Sequence, residues 1–449
     1  MTAIPRDKSI ENTLALLNEA YTFIPSRCER LQSDVFETRL MLQKVICAMG
    51  EDAATMFYQP DRFTRKMALP PTTLLLLQDL GSVQLLDGAA HRRRKEMFMS
   101  LMTPERIGGF IAIFKRHWVA RIPTWSAKEE IVFHQEVEKL LCAAVCEWVG
   151  VPLTEAAVRQ RTKEFSAMIE GAGAVGPRNW KGLLRRARTE DWARSIIHGV
   201  RAGHMRVPPG TATEIIAMHR DVDDRLLDTK VAAVELINVM RPTVAVARYI
   251  TFAALALHRY PECRQKLTSS DKSYLESFVQ EVRRFYPFFP AVGGRALVDF
   301  EWRGTRIEKG TWVLLDVYGT NHDERIWGDP WNFRPERFID WKHSEFSLIP
   351  QGGGDVDFGH RCAGEWLTVQ TMKTAVRLLV TAMEYEIPRQ DLRINLYRMP
   401  AIPASRLVMR EVHAAGGALS SEKKSDKPVD VTTTAEQAPP HYERPASRI

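Results

Sequence analysis

Cysteine is scarce in this sequence: Cys28, Cys47, Cys142, Cys146, Cys263 and Cys362 are the only six in 449 residues. So thin a spread gives no disulfide framework. The start, Met1-Thr2-Ala3-Ile4-Pro5-Arg6-Asp7, lacks the apolar stretch of a secretory leader. No uninterrupted apolar run is long enough to span a bilayer. A reducing, cytoplasmic setting is therefore expected. Zinc-finger spacing is absent, and aromatic and basic residues do not interleave as on an RNA-binding sheet. The net charge of +7 thus does not read as nucleic-acid binding. Its densest run, His91-Arg92-Arg93-Arg94-Lys95, reads as a helix with a solvated face. Cys142 and Cys146 lie four apart on an apolar helical stretch, with no histidine or further cysteine beside them. They read as buried small residues rather than metal ligands.

Most of what is present is helix. Apolar residues recur at helical spacing over residues 12–17 and 51–57, with a strand-like alternation over 36–40 between them. A turn at Asp87-Gly88 precedes a helix over 91–98. Further helices are expected over 131–149 and 155–169, followed by a flexible loop from Gly171 to Pro177. Residues 221–258 keep a helical pattern far beyond ordinary length, and Arg241-Pro242 should kink it, because proline removes a backbone donor. Short strands are expected over 295–300, 305–307 and 312–318. A loop over 329–350, a glycine-rich segment at 351–354 and a helix over 363–383 complete the pattern. There is no internal repeat and no linker-like stretch, so residues 1–412 are expected to form one domain, mainly alpha with small beta sheets. Residues 413–449 carry too little apolar content to pack and are expected to be a disordered tail.

The most informative segment is Phe358-Gly359-His360-Arg361-Cys362-Ala363-Gly364-Glu365. Cys362 stands where a loop meets an apolar helix, and the exposed N–H groups and dipole of a helix start favour a thiolate. A thiolate there suits an axial ligand to haem iron. It also suits a nucleophile, with His322 or His343 as its base, and a buried cysteine needs no function at all. Gly352-Gly353-Gly354 is no P-loop, because no lysine and serine or threonine follow at the required spacing.

Three motifs in order decide among these. Glu281-Val282-Arg283-Arg284, Phe333-Arg334-Pro335-Glu336-Arg337-Phe338 and the Cys362 segment together resemble the cytochrome P-450 superfamily, over roughly residues 10 to 412. The resemblance implies that fold, with haem b between a long kinked distal helix and the helix after the cysteine loop, and with Cys362 as the iron ligand. It implies a buried structural triad of Glu281, Arg284 and Arg337, a sensible grouping if each guanidinium also reaches backbone carbonyls. His91, Lys95, Arg295 and His360 match positions that face the haem propionates, and the four-residue spacing of His91 and Lys95 lets both do so from one helix face.

Two departures narrow the resemblance to the bacterial fatty-acid peroxygenase branch. Arg241 and Pro242 stand where most members carry an acid and an alcohol, and Asp355 replaces the usual phenylalanine of the cysteine loop. An unpaired guanidinium on an apolar helix is costly, and a long-chain fatty acid's carboxylate would satisfy it bidentately. That clamp would place the alpha and beta carbons at the iron, and the same carboxylate would act as general acid-base while hydrogen peroxide serves as oxidant. The competing reading of Arg241 is a salt bridge to Glu235. The resemblance further implies that no dedicated redox partner is needed. Gln84 matches the residue found in hydroxylating members, whereas the alkene-forming member has histidine. Leu77, Leu80, Val175, Phe288 and Phe289 are candidate walls of an apolar substrate channel. Hydroxylation is expected. Peroxide-driven decarboxylation to a terminal alkene, a redox-partner-dependent monooxygenase and a non-catalytic haem- or lipid-binding protein are the alternatives.

Overall fold

Apolar residues at helical spacing place most of the chain in helices in the computed structural model, which describes residues 4–268, 272–342 and 344–416. The long central pattern forms two consecutive helices, Thr229–Ala245 and Ala247–Arg259, both buried along almost their whole length. A helix apolar all round belongs in a core, and here it crosses the middle of the molecule. It starts at Thr229 rather than 221. Asp221, Asp223 and Asp224 prefer turns, and residues 221–225 close one, Asp221 N donating to Arg225 O at 3.0 Å. Asp228 then caps the helix, accepting from Lys230 N at 2.8 Å. Pro242 lies inside the helix without ending it. The break comes four residues later at Val246, whose N–H donates to Thr243 O at 3.2 Å.

The strands are short and gather in small sheets. In chain order they are β1 (Val35–Leu40), β2 (Gln43–Ala48), β3 (Phe63–Thr64), β4 (Glu130–Val132), β5 (Ala291–Ala296), β6 (Phe300–Trp302), β7 (Thr305–Ile307), β8 (Trp312–Asp316), β9 (Met383–Glu386) and β10 (Val408–Ala414). The largest sheet has the order β1-β2-β8-β5-β3, with β2 and β8 parallel and Val45 opposite Trp312. A second has the order β4-β10-β9, and β6 pairs with β7. The strand expected over 295–300 is divided between β5 and β6. The one expected to reach 318 stops at Asp316, whose carboxylate accepts from Gly319 N at 2.7 Å and starts a short helix.

One hydrophobic cluster draws residues from Leu76 to Val412. The last helix, Glu365–Thr381, packs into it and begins three residues after Cys362. β10 runs to Ala414, two residues past the expected domain end, because Ala414 pairs with Met383. The rest of the expected tail, from 417 on, lies outside the described residues, as does His343. Among the described residues no helix is long and apolar enough to cross a membrane.

Candidate active site

The cysteine loop is held by its own backbone turns. Gly352, at φ +99°, takes a left-handed conformation that other residues adopt at a cost, and a Cβ on Gly359 would lie 2.5 Å from Asp355 O. Asp355 Oδ1 accepts from the backbone N–H groups of Asp357 and Phe358, each at 2.7 Å. This accounts for the aspartate in a place where related loops carry phenylalanine: it builds the turn that the rearranged spacing needs. Cys362 N donates to Gln351 O at 3.0 Å, and a Cβ on Gly364 would sit 4.0 Å from the Cys362 sulfur.

At the Cys362 thiol the Gly364 N–H acts as expected of a helix start, but burial opposes it. Burial, then the Glu365 charge, pushes its pKa up, while Lys95, the Gly364 N–H and the Gln351 side chain pull it back. The helix start alone does not make a thiolate. A metal ion at the sulfur would, since a coordinating thiol loses its proton outright.

Two charge clusters hold this loop in place. Glu281 and Arg284 are fully buried and bidentate, at 2.7 and 2.8 Å, and Arg337 Nε lies 3.2 Å from Glu281 Oε2. The remaining donors of both guanidiniums reach the carbonyls of Asn321, Pro330, Trp327, Asp329 and Asn332 at 2.8 to 3.0 Å. Arg283 forms the second cluster. It pairs with Glu365 on the helix after the cysteine and donates to Gln351 Oε1 at 3.1 Å, and Arg361 Nε also reaches Glu365 at 2.6 Å. Its neighbour Arg284 carries the motif, and nothing in the sequence marks Arg283 for this separate role.

Beside the loop lies a group of buried bases. The rings of His91 and His360 are 4.2 Å apart between centroids. Burial, then the Lys95 charge, drops His91 to about 4, and burial first also holds His360 well below its usual range. Lys95 Nζ donates to Arg361 O at 2.5 Å, and burial brings it to about 8. Arg65 is the member sequence reasoning missed. It stacks 4.1 Å over Phe57, donates to Gly293 O at 3.1 Å, and burial brings it to about 10. Arg295 lies outside the group: it donates to Met67 O at 2.8 Å and Gln43 Oε1 at 2.7 Å and stacks on Trp312. It sits next to Gly294 on β5, and a Cβ on Gly294 would lie 2.8 Å from Arg65, so strand alternation turns Arg295 to the other face.

Arg241 is only 6% exposed on the central helix. Its Nη2 donates to Leu77 O at 2.6 Å, and its Nε has no partner. Burial, then the charge of Arg186, brings it to about 9, while the Cys362 charge pulls the other way, so Arg241 and Cys362 lie within electrostatic reach. The competing salt bridge is absent. Glu235 accepts instead from Arg94 at 2.8 Å, Val83 N at 2.7 Å and Asn238 Nδ2 at 3.1 Å. Gln84 lies against the same helix, its Oε1 accepting from Asn238 at 3.4 Å. Phe288 stacks on Tyr249 at 4.2 Å, and Leu77 is half-buried. Leu80, Val175 and Phe289 are 62%, 59% and 38% exposed, so the structure puts these three at the surface. His322 is occupied elsewhere, bonded to Tyr318 O at 2.9 Å and stacked on Trp331, so it is not placed as a base for Cys362.

These residues fit a haem. His91, Lys95 and Arg65 are buried beside the cysteine loop, which suits two propionates, and the partly buried Cys362 sulfur suits the iron. Fold and site together define a haem-thiolate protein. Comparison with known proteins agrees: the family model described as Cytochrome P450 matches residues 258–408. Cytochrome P450SP alpha (CYP152B1), solved in complex with (R)-ibuprophen, is 49% identical, covers 91% of this chain and 100% of its own, and superposes with a TM-score of 0.88. Cytochrome P450EX alpha (CYP152N1), solved with myristic acid, is 42% identical over 92% of this chain and 100% of its own, with a TM-score of 0.89. A flavonoid 3'-monooxygenase of Oryza sativa subsp. japonica is 30% identical over 243 residues, 45% of this chain and 44% of that protein. The curated relatives first matched are spanned over about a third to under half of their length. The chain belongs to the cytochrome P450 family, within its CYP152 group.

Proposed function

We propose that this protein hydroxylates long-chain fatty acids at the alpha or beta carbon with hydrogen peroxide, giving a hydroxy acid and water. The observation that carries this reading is Arg241, a buried guanidinium with an unpartnered Nε and no acid beside it. Cys362 would ligate the iron of haem b, and His91, Lys95, His360 and Arg65 would face its propionates. The haem, when bound, supplies transfer of one oxygen atom from peroxide to a carbon–hydrogen bond.

Everything else is assigned to the chain and its substrate. Arg241 holds the carboxylate through two parallel hydrogen bonds, which brings the adjacent carbons towards Cys362 and leaves the rest of the acyl chain to apolar residues. Glu235, the only acid between Thr229 and Ala245, is committed to Arg94. Pro242 has no hydroxyl, and Asn238 and Gln84 are neutral amides that cannot deliver a proton. The substrate carboxylate is therefore the group that takes a proton from one peroxide oxygen and returns it to the departing one. No reductase is needed for that chemistry. A bacterial cytoplasm is the proposed setting; the unpaired state of all six cysteines supports a reducing compartment.

Incubating the haem-loaded protein with myristic acid and peroxide, without reductase, tests the reading, with products identified by mass spectrometry. Hydroxymyristic acid is expected. A terminal alkene would favour decarboxylation, against which Gln84 argues. Product only with an electron-supplying reductase, or none under either condition, would overturn the proposal.

A further inference from the structure

A second buried arginine, on another element, holds the carbonyl next to the one that Arg241 holds. Arg186, on the helix Pro177–Arg201, is 3% exposed and donates through Nη1 to Leu76 O at 3.0 Å. Arg241 donates to the next carbonyl, Leu77 O, at 2.6 Å. The two guanidiniums thus hold the last two carbonyls of the helix Pro71–Leu77, where the helix dipole is negative.

Arg186 is itself fixed on its other sides. Its Nε donates to Glu190 at 2.6 Å, and Nη2 lies 3.6 Å from Asp79 Oδ2 with no hydrogen bond of its own. Asp79 forms the turn that ends the helix. It takes the left-handed conformation, φ +70°, although it is not glycine, with its N–H on Leu74 O at 2.9 Å and its Oδ1 accepting from Leu80 N at 2.6 Å. Non-glycine residues hold such a conformation only when their surroundings over-determine it. Helix Pro177–Arg201 also approaches this turn very closely: a Cβ on Gly182 would meet Leu76 side-chain carbons at 3.1 and 3.2 Å. Asn179 Nδ2 donates to Thr72 O at 3.1 Å from the same helix.

We propose that Arg186, with Asp79, is the positioning residue for Arg241, and that this clamp sets whether the alpha or the beta carbon is oxidised. The inference rests on the proposed fatty-acid reaction. Alpha and beta carbons are one bond apart, and misplacement by about 1 Å costs on the order of 100-fold in rate. A small shift of Leu77 O, passed to the carboxylate through Arg241, is therefore enough to change the product ratio.

The test compares wild type with Arg186→Gln, Arg186→Lys and Asp79→Asn, each haem-loaded and checked by its carbon-monoxide difference spectrum. Myristic acid and peroxide are supplied, the alpha to beta hydroxy-acid ratio is measured, and myristate binding is measured separately by calorimetry. Arg186→Gln should change the ratio at least about fivefold and weaken binding about tenfold. Arg186→Lys, which keeps the charge but not the fork, should fall between Arg186→Gln and wild type. Asp79→Asn keeps the acceptor for Leu80 N and serves if Arg186→Gln does not fold; it should move the ratio in the same direction. Haem-loaded, active variants with the wild-type ratio would overturn the inference and leave the proposed function standing. No hydroxy acid from wild type would overturn both.

Discussion

Arg241 keeps a full charge in a nearly dry place, and the consequences can be separated by substitution. Arg241→Ala removes the cation without touching Cys362, Lys95 or the triad, so haem incorporation should survive. Turnover of myristic acid, measured as kcat/KM with peroxide, should fall at least about 100-fold, the usual scale for breaking a buried charge pair. Acetate added to the variant should partly restore oxidation of compounds that lack a carboxylate, because it returns the proton carrier that the substrate normally brings. Full fatty-acid activity in Arg241→Ala would rule out the clamp. His91 gives a pH-dependent prediction. Free histidine takes its proton near 6.5, and burial brings His91 to about 4. Between those values the unfolded chain holds more protons, so the haem-free protein should lose stability as pH falls from about 6.5 to 4, by roughly 2 kcal/mol after allowance for partial solvation. Urea melts at pH 7 and 4.5 would show this loss in wild type and a shallower one in His91→Gln. Cys362, Arg241 and the triad residues were legible in the sequence because each sits in a short motif or departs from one. Arg65 and Arg186 were not. Their partners, Gly293 O and Leu76 O, are backbone atoms 228 and 110 residues away, and carbonyl acceptors leave no pattern in side-chain identity.

At the scale of elements, the charged triad joins helix Lys272–Phe285 to the Pro335–Phe338 turn, and the Arg283–Glu365 pair joins the same helix to the one after Cys362. One helix therefore fixes the cysteine loop from two sides. Glu281→Gln keeps the shape but leaves Arg284 and Arg337 facing a neutral group in a site with no solvent access. Loss of about 3 to 5 kcal/mol is expected, as for other broken buried pairs, measured as a lower urea midpoint together with a reduced carbon-monoxide difference spectrum. A wild-type midpoint would mean that backbone carbonyls alone carry the two guanidiniums. Periodicity found the long buried helices and β1 but not all element ends. The central helix begins late because Asp221, Asp223 and Asp224 form a turn inside an otherwise helical pattern. β2 escaped notice because its pattern is not alternating: its first two residues are exposed and its last four buried, as befits a strand between β1 and β8. The bend expected near Pro242 falls a turn later: the surrounding core carries the helix through Pro242, and the interruption comes at Val246.

Over the whole molecule, one core spans most of the described chain, and the buried bases lie at its edge beside the cysteine loop. A fold stable by itself would not favour that arrangement, since burying a cation costs free energy, which the charges of Asp357 and Asp355 offset only in part for Lys95. Lys95 is 4% exposed, and a backbone carbonyl is its hydrogen-bond partner. It therefore burdens the haem-free fold and should help only when propionates arrive. Lys95→Met keeps most of the volume and removes the charge, so the substitution should act with opposite signs in the two states. The haem-free variant should melt higher than haem-free wild type, as when apolar residues replace buried charges. The haem-loaded variant should melt lower than haem-loaded wild type, because a ligand bound only by the folded state stabilises it in proportion to affinity. Saturation at about 1,000 times Kd is worth about 4 kcal/mol, or roughly 4 to 5 °C for a chain of this size. A tenfold loss of haem affinity removes about 1.4 kcal/mol of that. Calorimetric scans of both proteins with and without haem measure all four midpoints. Equal destabilisation in both states would show that Lys95 supports the fold itself through the Arg361 carbonyl, and its assignment to the propionates would have to be withdrawn.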